Sequence, residues 1–240
     1  MSIDEQAGMN FEKHLQQNPY PGRGLVVGRA TEDIWVIVYW IMGRSTNSRN
    51  RRFVVEGSVL RTEPVDLSLV SDPSLIIYEA MLELPGIYLV SNGDQTRTMY
   101  ETLKDGGTIE QALAGREREP DAPNFTPRIS AMLEIKDAAI STTLSILKAN
   151  PIDRGLTDRY TYRPALPQAG YGVGLTTYSG DGNPLPSFGG EPLLLPCSGT
   201  AEKVLEQYWN ALNSENRVSL AVKEITARDG RSRILIKNQL

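Results

Sequence analysis

Apolar positions in this chain mostly alternate or run together over short stretches, and only a few segments repeat at helical spacing. Leu25-Val26-Val27-Gly28 and Ile34-Trp35-Val36-Ile37-Val38-Tyr39-Trp40 are β-branched and aromatic, and the intervening Ala30-Thr31-Glu32-Asp33 suits a turn, so an antiparallel pair is predicted. Further strands are predicted over 53–60, 74–82 and 86–91, the last ending at Asn92-Gly93. Helical spacing follows over 96–104 and 108–114, broken by Gly106-Gly107, with Thr108 placed to cap the second helix. Strands are expected again over 129–136 and 138–147 around a turn at 135–137, although the second also fits an amphipathic helix. Residues 150–199 hold many prolines, glycines and tyrosines and read as loops with one strand over 170–178. A helix over 201–212, capped by Ser198 or Thr200, and a hairpin of 218–223 with 232–236 close the chain. Residues 1–18 read as a polar lead-in with a short helix over 10–17, and 19–240 as a single domain with no internal repeat.

Composition fits a globular protein: 240 residues, 40% hydrophobic and 22% charged. A net charge of -4 argues against a general nucleic-acid or anionic-membrane binder, so arginines must act locally. The longest apolar runs are too short to cross a bilayer. Cys197 is the only cysteine, so no intrachain disulfide forms, and the acidic Met1-Ser2-Ile3-Asp4-Glu5 start lacks a signal-peptide pattern. A cytoplasmic location is the resulting expectation.

Chemistry concentrates where strands end. The strand over 34–42 opens into Gly43-Arg44-Ser45-Thr46-Asn47-Ser48-Arg49-Asn50-Arg51-Arg52. Arginine forks match phosphate or carboxylate oxygens two at a time, while serine and asparagine add neutral donors. A solvated basic loop is the alternative. Ser91-Asn92-Gly93-Asp94-Gln95-Thr96 lies between a strand and a helix start, whose free N–H groups suit an anion, although simple capping explains one or two of these residues. Arg116-Glu117-Arg118-Glu119-Pro120-Asp121 interleaves acids and bases on a proline-stiffened loop, as a general base or a surface ion-pair network would. Tyr78 and Glu79 must face opposite sides of their strand. His14 is the only histidine and stands in the polar lead-in, which argues against both a zinc site and a Ser-His-Asp triad, and Cys197 reads as a packing residue. Gly22-Arg23-Gly24-Leu25-Val26-Val27-Gly28 has the wrong spacing for a dinucleotide loop and precedes a strand.

Together, Tyr20-Pro21-Gly22-Arg23-Gly24, Met42-Gly43-Arg44-Ser45-x-x-Ser48-Arg49, Val90-Ser91-Asn92-Gly93 and Asn124-Phe125-Thr126-Pro127-Arg128 resemble the archaeal-type IMP cyclohydrolase family in order and spacing, over roughly 20–145. Segments 184–192 and 212–218 look like those of its longer bacterial members. The resemblance implies closure of 5-formamidoimidazole-4-carboxamide ribotide to inosine monophosphate, with no metal or cofactor. It also implies the α/β four-layer αββα sandwich of N-terminal-nucleophile hydrolases, without that fold's usual nucleophile. The implied catalytic residues are Arg49, Tyr78 and Glu119, with Glu117 or Asp121 as alternative matches for the last. Arg23, Arg44, Ser45, Asn92, Gly93, Thr96, Asn124 and Arg128 are the implied substrate contacts. The expected partner is a purine nucleotide, within a homo-oligomer that binds neither nucleic acid nor membrane. An amide hydrolase of the same fold and a non-catalytic nucleotide sensor are the competing readings.

Overall fold

The computed structural model describes residues 1–70, 76–136 and 139–239. In chain order it runs α1 (Ile3–Phe11), β1 (Gly24–Arg29), β2 (Ile34–Met42), a one-turn α2 (Thr46–Arg49), β3 (Arg52–Glu56), β4 (Val59–Glu63), β5 (Glu79–Leu84) and β6 (Ile87–Ser91). Next come α3 (Gln95–Lys104), α4 (Ile109–Ala114), β7 (Arg128–Lys136), β8 (Ala139–Ala149), β9 (Thr157–Tyr162), β10 (Tyr171–Thr176), β11 (Leu193–Pro196), α5 (Ala201–Ala211), β12 (Arg217–Thr226) and β13 (Ser232–Asn238). The strands form two antiparallel sheets, ordered β11-β10-β1-β2-β12-β13 and β3-β4-β5-β6-β7-β8-β9. This is a mixed α+β fold.

β2 lies inside the first sheet, and its nine residues are nearly all buried. Both of its faces are covered, so it reads as a continuous apolar run instead of an alternating one. Tyr39 points toward the second sheet, where its ring lies 5.4 Å from that of Phe53. Trp40 points the other way, onto α5, 6.0 Å from the Tyr208 ring, which Phe11 of α1 meets edge-on at 5.2 Å. One large core joins the two sheets and includes Val204, Leu205 and Tyr208 of α5. A smaller cluster of Leu89, Met99, Ile109, Leu113 and Met132 seats α3 and α4 on the opposite face of the second sheet. Burial of each such side chain contributes about 1.5–3 kcal/mol.

Gly24 starts β1 under the Trp40 indole, where a Cβ would sit 1.9 Å from a ring carbon. Gly24→Ala is therefore expected to destabilise the protein by about 1–3 kcal/mol through overpacking, read as a lower urea midpoint at unchanged m.

Several elements differ from the sequence expectation. The strand expected over 53–60 is a hairpin, β3 and β4, that turns at Gly57-Ser58 with Gly57 at φ +60°. The N-terminal helix starts at Ile3, where Ser2 and Glu5 form a reciprocal capping box, and Ala7, Phe11 and Leu15 are buried. Region 150–199 contains β9 and β11 besides the expected β10. The strand expected over 74–82 corresponds to β5, with 74–75 outside the described residues, as are positions 137 and 138 of the turn before β8. No helix among the described residues is long and apolar enough to cross a membrane.

Candidate active site

The ends of β1, β2 and β10 in one sheet meet the segments entering β3, β5 and β7 in the other around a cavity of about 370 Å³, within the range of small-ligand sites. One wall carries Arg44, Ser45, Ser48 and Arg51, and the other Glu119, Asp121, Asn124 and Thr126; Tyr20, Arg23, Tyr178 and Leu185 also line it. The local sequence explains much of this placement. Gly22 adopts φ +73°, and a Cβ there would meet the Thr177 hydroxyl at 2.2 Å and the Tyr178 ring at 2.4 Å, so glycine alone brings Arg23 past Tyr178 into the mouth of β1. Arg23 is then pinned to Thr177 through both backbone groups: its N–H donates to Oγ1 (3.0 Å), and its carbonyl accepts from the Thr177 N–H (2.8 Å).

The central feature is a buried ion pair across the two sheets. Arg23 donates to Glu119 Oε2 at 2.9 Å and to the Asn92 carbonyl at 3.1 Å, and the exposures of Arg23 and Glu119 are 8% and 4%. Burial opposes the guanidinium charge, yet the adjacent Glu119 carboxylate, helped by the Tyr78 and Tyr39 hydroxyls, holds the Arg23 pKa well above its ordinary value. Glu119 is fixed by its own backbone, whose N–H donates to the Thr126 carbonyl at 3.0 Å. Asp121 braces the same loop by accepting from the Thr126 N–H at 2.6 Å and from the Thr126 hydroxyl, which also contacts the Tyr178 hydroxyl at 2.5 Å. Burial raises the Tyr178 pKa, so this phenol stays protonated at neutral pH.

Arg51 is buried to 8% exposure and lines the cavity, and its Nε donates to the Ser48 carbonyl at 3.1 Å. No carboxylate among the described residues forms an ion pair with it, which leaves a fixed positive charge facing the cavity. Arg44 lies at the rim, its guanidinium 4.9 Å above the Tyr20 ring, and Tyr20 stacks on Tyr178 at 5.9 Å. Ser45 caps the short α2 in a reciprocal pair with Ser48, so the two hydroxyls hold each other at 3.0 Å.

Of the expected site residues, the structure brings Arg23, Arg44, Ser45, Glu119 and Asn124 to the cavity. Tyr78 lies just behind it: its hydroxyl bonds that of Tyr39 at 2.7 Å, and its neighbour two positions earlier, Ile76, lines the wall. Burial beside Tyr78 pushes the Tyr39 pKa well up. Arg49 is exposed and faces away, donating to the Gly43 carbonyl at 2.9 Å and to Asn216 Oδ1 at 3.3 Å, while Arg51 occupies the wall. Asn92, Gly93, Thr96 and Arg128 lie outside the lining. Asn92 Oδ1 accepts from the Ile129 N–H at 2.8 Å and its Nδ2 donates to the Pro127 carbonyl at 2.8 Å. Thr96 bonds Ser91 and the Gly93 carbonyl, and Arg128 bonds Asp94 and Gln95 over Gly93, which has no Cβ to obstruct it. The alternative carboxylate Glu117 is exposed and pairs with Arg159, whereas Asp121 does line the cavity. Cys197 is buried under Gly28 beside the Tyr208 hydroxyl, and burial pushes its thiol pKa up to about 12, so it is a packing residue, not a nucleophile. Sequence reasoning missed Arg51, Tyr178 and Leu185 as lining residues. Arg51 stands in the same basic window as Arg49 but at the entry to a strand that packs inward.

The chain is a two-sheet α+β fold with a cavity, lined by Arg23, Arg44 and Arg51, where the ends of the sheets meet. The family model described as IMP cyclohydrolase-like protein matches residues 20–230, and the chain belongs to this family. It is similar to a curated protein of Methanothrix thermoacetophila named IMP cyclohydrolase, with 32% identity over 127 residues that cover 50% of this chain and 61% of that relative. The chain thus spans less than two thirds of the length of the relative it matches.

Proposed function

We propose that this protein is an IMP cyclohydrolase, which closes 5-formamidoimidazole-4-carboxamide ribotide to inosine monophosphate with loss of water. A four-layer αββα arrangement, with helices outside both sheets, and a cytoplasmic place in purine synthesis belong to the same reading. The observation that carries it is the buried Arg23–Glu119 pair beside Arg51, which pairs with no carboxylate among the described residues, in one cavity. Such a cavity offers one fixed base and one fixed cation to a neutral, intramolecular condensation.

The carboxamide nitrogen is a poor nucleophile because its lone pair is delocalised. In this proposal Glu119 takes the proton from that nitrogen as it attacks the formyl carbon, and Arg51, in the role expected for Arg49, stabilises charge on the formyl oxygen. The Tyr39–Tyr78 hydroxyl pair protonates that oxygen as the ring closes; Glu119 then hands on the amide proton as the resulting hydroxyl leaves as water, and the formamido N–H proton returns to the tyrosine pair as the ring C=N bond forms. Arg23 holds the Glu119 carboxylate in place, and Arg44 with the Ser45–Ser48 turn takes the phosphate. Tyr20 and Tyr178 bound the space for the imidazole. Holding the reacting groups together contributes as much as the acid and base, because both reside on one molecule.

The test is an absorbance assay of purified protein with the formylated precursor. Formation of the purine chromophore well above the uncatalysed rate is expected. Binding of inosine monophosphate without acceleration would instead make the protein a nucleotide sensor.

A further inference from the structure

A strap over residues 179–187 runs along the cavity rim, with Leu185 in the lining and its tip against Arg44. Residues 179–187 leave β10 and return to it: Tyr178 bridges Ser187, the Ser179 N–H donates to the Pro186 carbonyl at 3.0 Å, and the Phe188 N–H donates to the Thr177 carbonyl at 2.9 Å. The base of the strap is therefore pinned. Its returning limb is anchored as well, because Leu185 is 5% exposed, lines the cavity, and donates its N–H to Asn124 Oδ1 at 3.1 Å. The tip is held differently. Asp181 accepts from Arg44 Nη1, and the adjacent Gly182 carbonyl accepts from the same nitrogen at 3.1 Å.

That contact joins side chains exposed by 35% and 47%. An ion pair this open is weak, whereas an arginine that grips a phosphate gains a charge-assisted, often bidentate interaction. The Arg44 guanidinium is meanwhile kept at the cavity rim by its seat above the Tyr20 ring. We propose that Asp181 is a placeholder anion: it pairs with Arg44 and is displaced by the substrate's phosphate, so that phosphate entry unlatches the strap tip. Asp181 is then a built-in competitor that lowers affinity for phosphate-bearing ligands and leaves recognition of the base and ribose unchanged. This inference rests on the nucleotide monophosphate reading above.

The experiment measures binding of inosine monophosphate and of inosine to the wild-type protein, Asp181→Asn, Arg44→Ala and the double variant by calorimetry. Removing the competitor and its repulsion toward a phosphate is expected to tighten nucleotide binding about three- to tenfold in Asp181→Asn. Inosine binding should stay at the wild-type value in that variant. Arg44→Ala should weaken nucleotide binding, and the gain from Asp181→Asn should vanish in the double variant, as coupling between the two positions requires. Unchanged or weaker nucleotide affinity in Asp181→Asn overturns the placeholder role, as does a gain that persists without Arg44 or appears equally with inosine. Turnover of the formylated precursor by the wild-type protein decides the functional reading separately. Turnover without an Asp181 effect rejects only the exchange, and an Asp181 effect without turnover rejects only ring closure.

Discussion

Arg23→Ala is expected to cost the protein about 3–5 kcal/mol of unfolding free energy, the largest effect of any single substitution considered for this site. The pair it breaks is buried on both sides, so alanine would leave the Glu119 carboxylate out of water without its counter-charge and strip the Asn92 carbonyl of a donor. An exposed ion pair would behave differently. Arg97→Ala, which breaks an open contact with Glu79, should change stability by no more than about 1 kcal/mol. Urea unfolding of the two variants side by side checks the prediction, and a loss below about 1 kcal/mol for Arg23→Ala would mean that water reaches Glu119 more readily than its 4% exposure implies.

Glu119→Gln should preserve the shape of the site while lowering turnover of the formylated precursor by about two orders of magnitude or more. Glutamine still accepts from Arg23 but cannot take a proton, so affinity for inosine monophosphate should change far less than turnover. If Asp121, which faces the same cavity, were the base instead, Asp121→Asn would show the large loss and Glu119→Gln would turn over almost normally. That substitution is also expected to loosen the loop, because Asp121 holds both the N–H and the hydroxyl of Thr126.

Elements whose signal is local and apolar were legible in the sequence. β1 and β2 form the expected antiparallel pair, with Leu25 opposite Tyr39, because a run buried on both faces is hard to read otherwise. α4 starts after the expected cap, Thr108, and α5 starts after Thr200, one of its two expected caps. What stayed hidden depends on partners distant in sequence. β9 is a half-exposed edge strand of mostly polar residues, recognisable only from its pairing with β8, and β11 is four residues long. The Gly57-Ser58 turn sits inside an alternating run and leaves its periodicity almost undisturbed.

The site shows the same division. Arg23, Arg44 and Glu119 lie where strand ends and a proline-stiffened loop put them. Arg49 and Arg51 stand two positions apart, and only tertiary packing distinguishes them: the first lies in the last turn of α2 and bonds outward to Asn216, and the second enters β3 against the cavity. Asn92, Thr96 and Arg128 have the composition of an anion site, yet each satisfies a neighbour in the link between β6, α3 and β7. A cluster of polar residues after a strand cannot reveal from sequence alone whether its donors meet a ligand or one another.

The cavity belongs to neither sheet by itself. Arg23, Arg44 and Tyr178 stand at strand ends of one sheet, while Arg51, Glu119 and Thr126 belong to connections of the other. A chain with each sheet formed but the two undocked would thus contain every lining side chain and have no pocket, so the cavity comes into being only as the sheets dock.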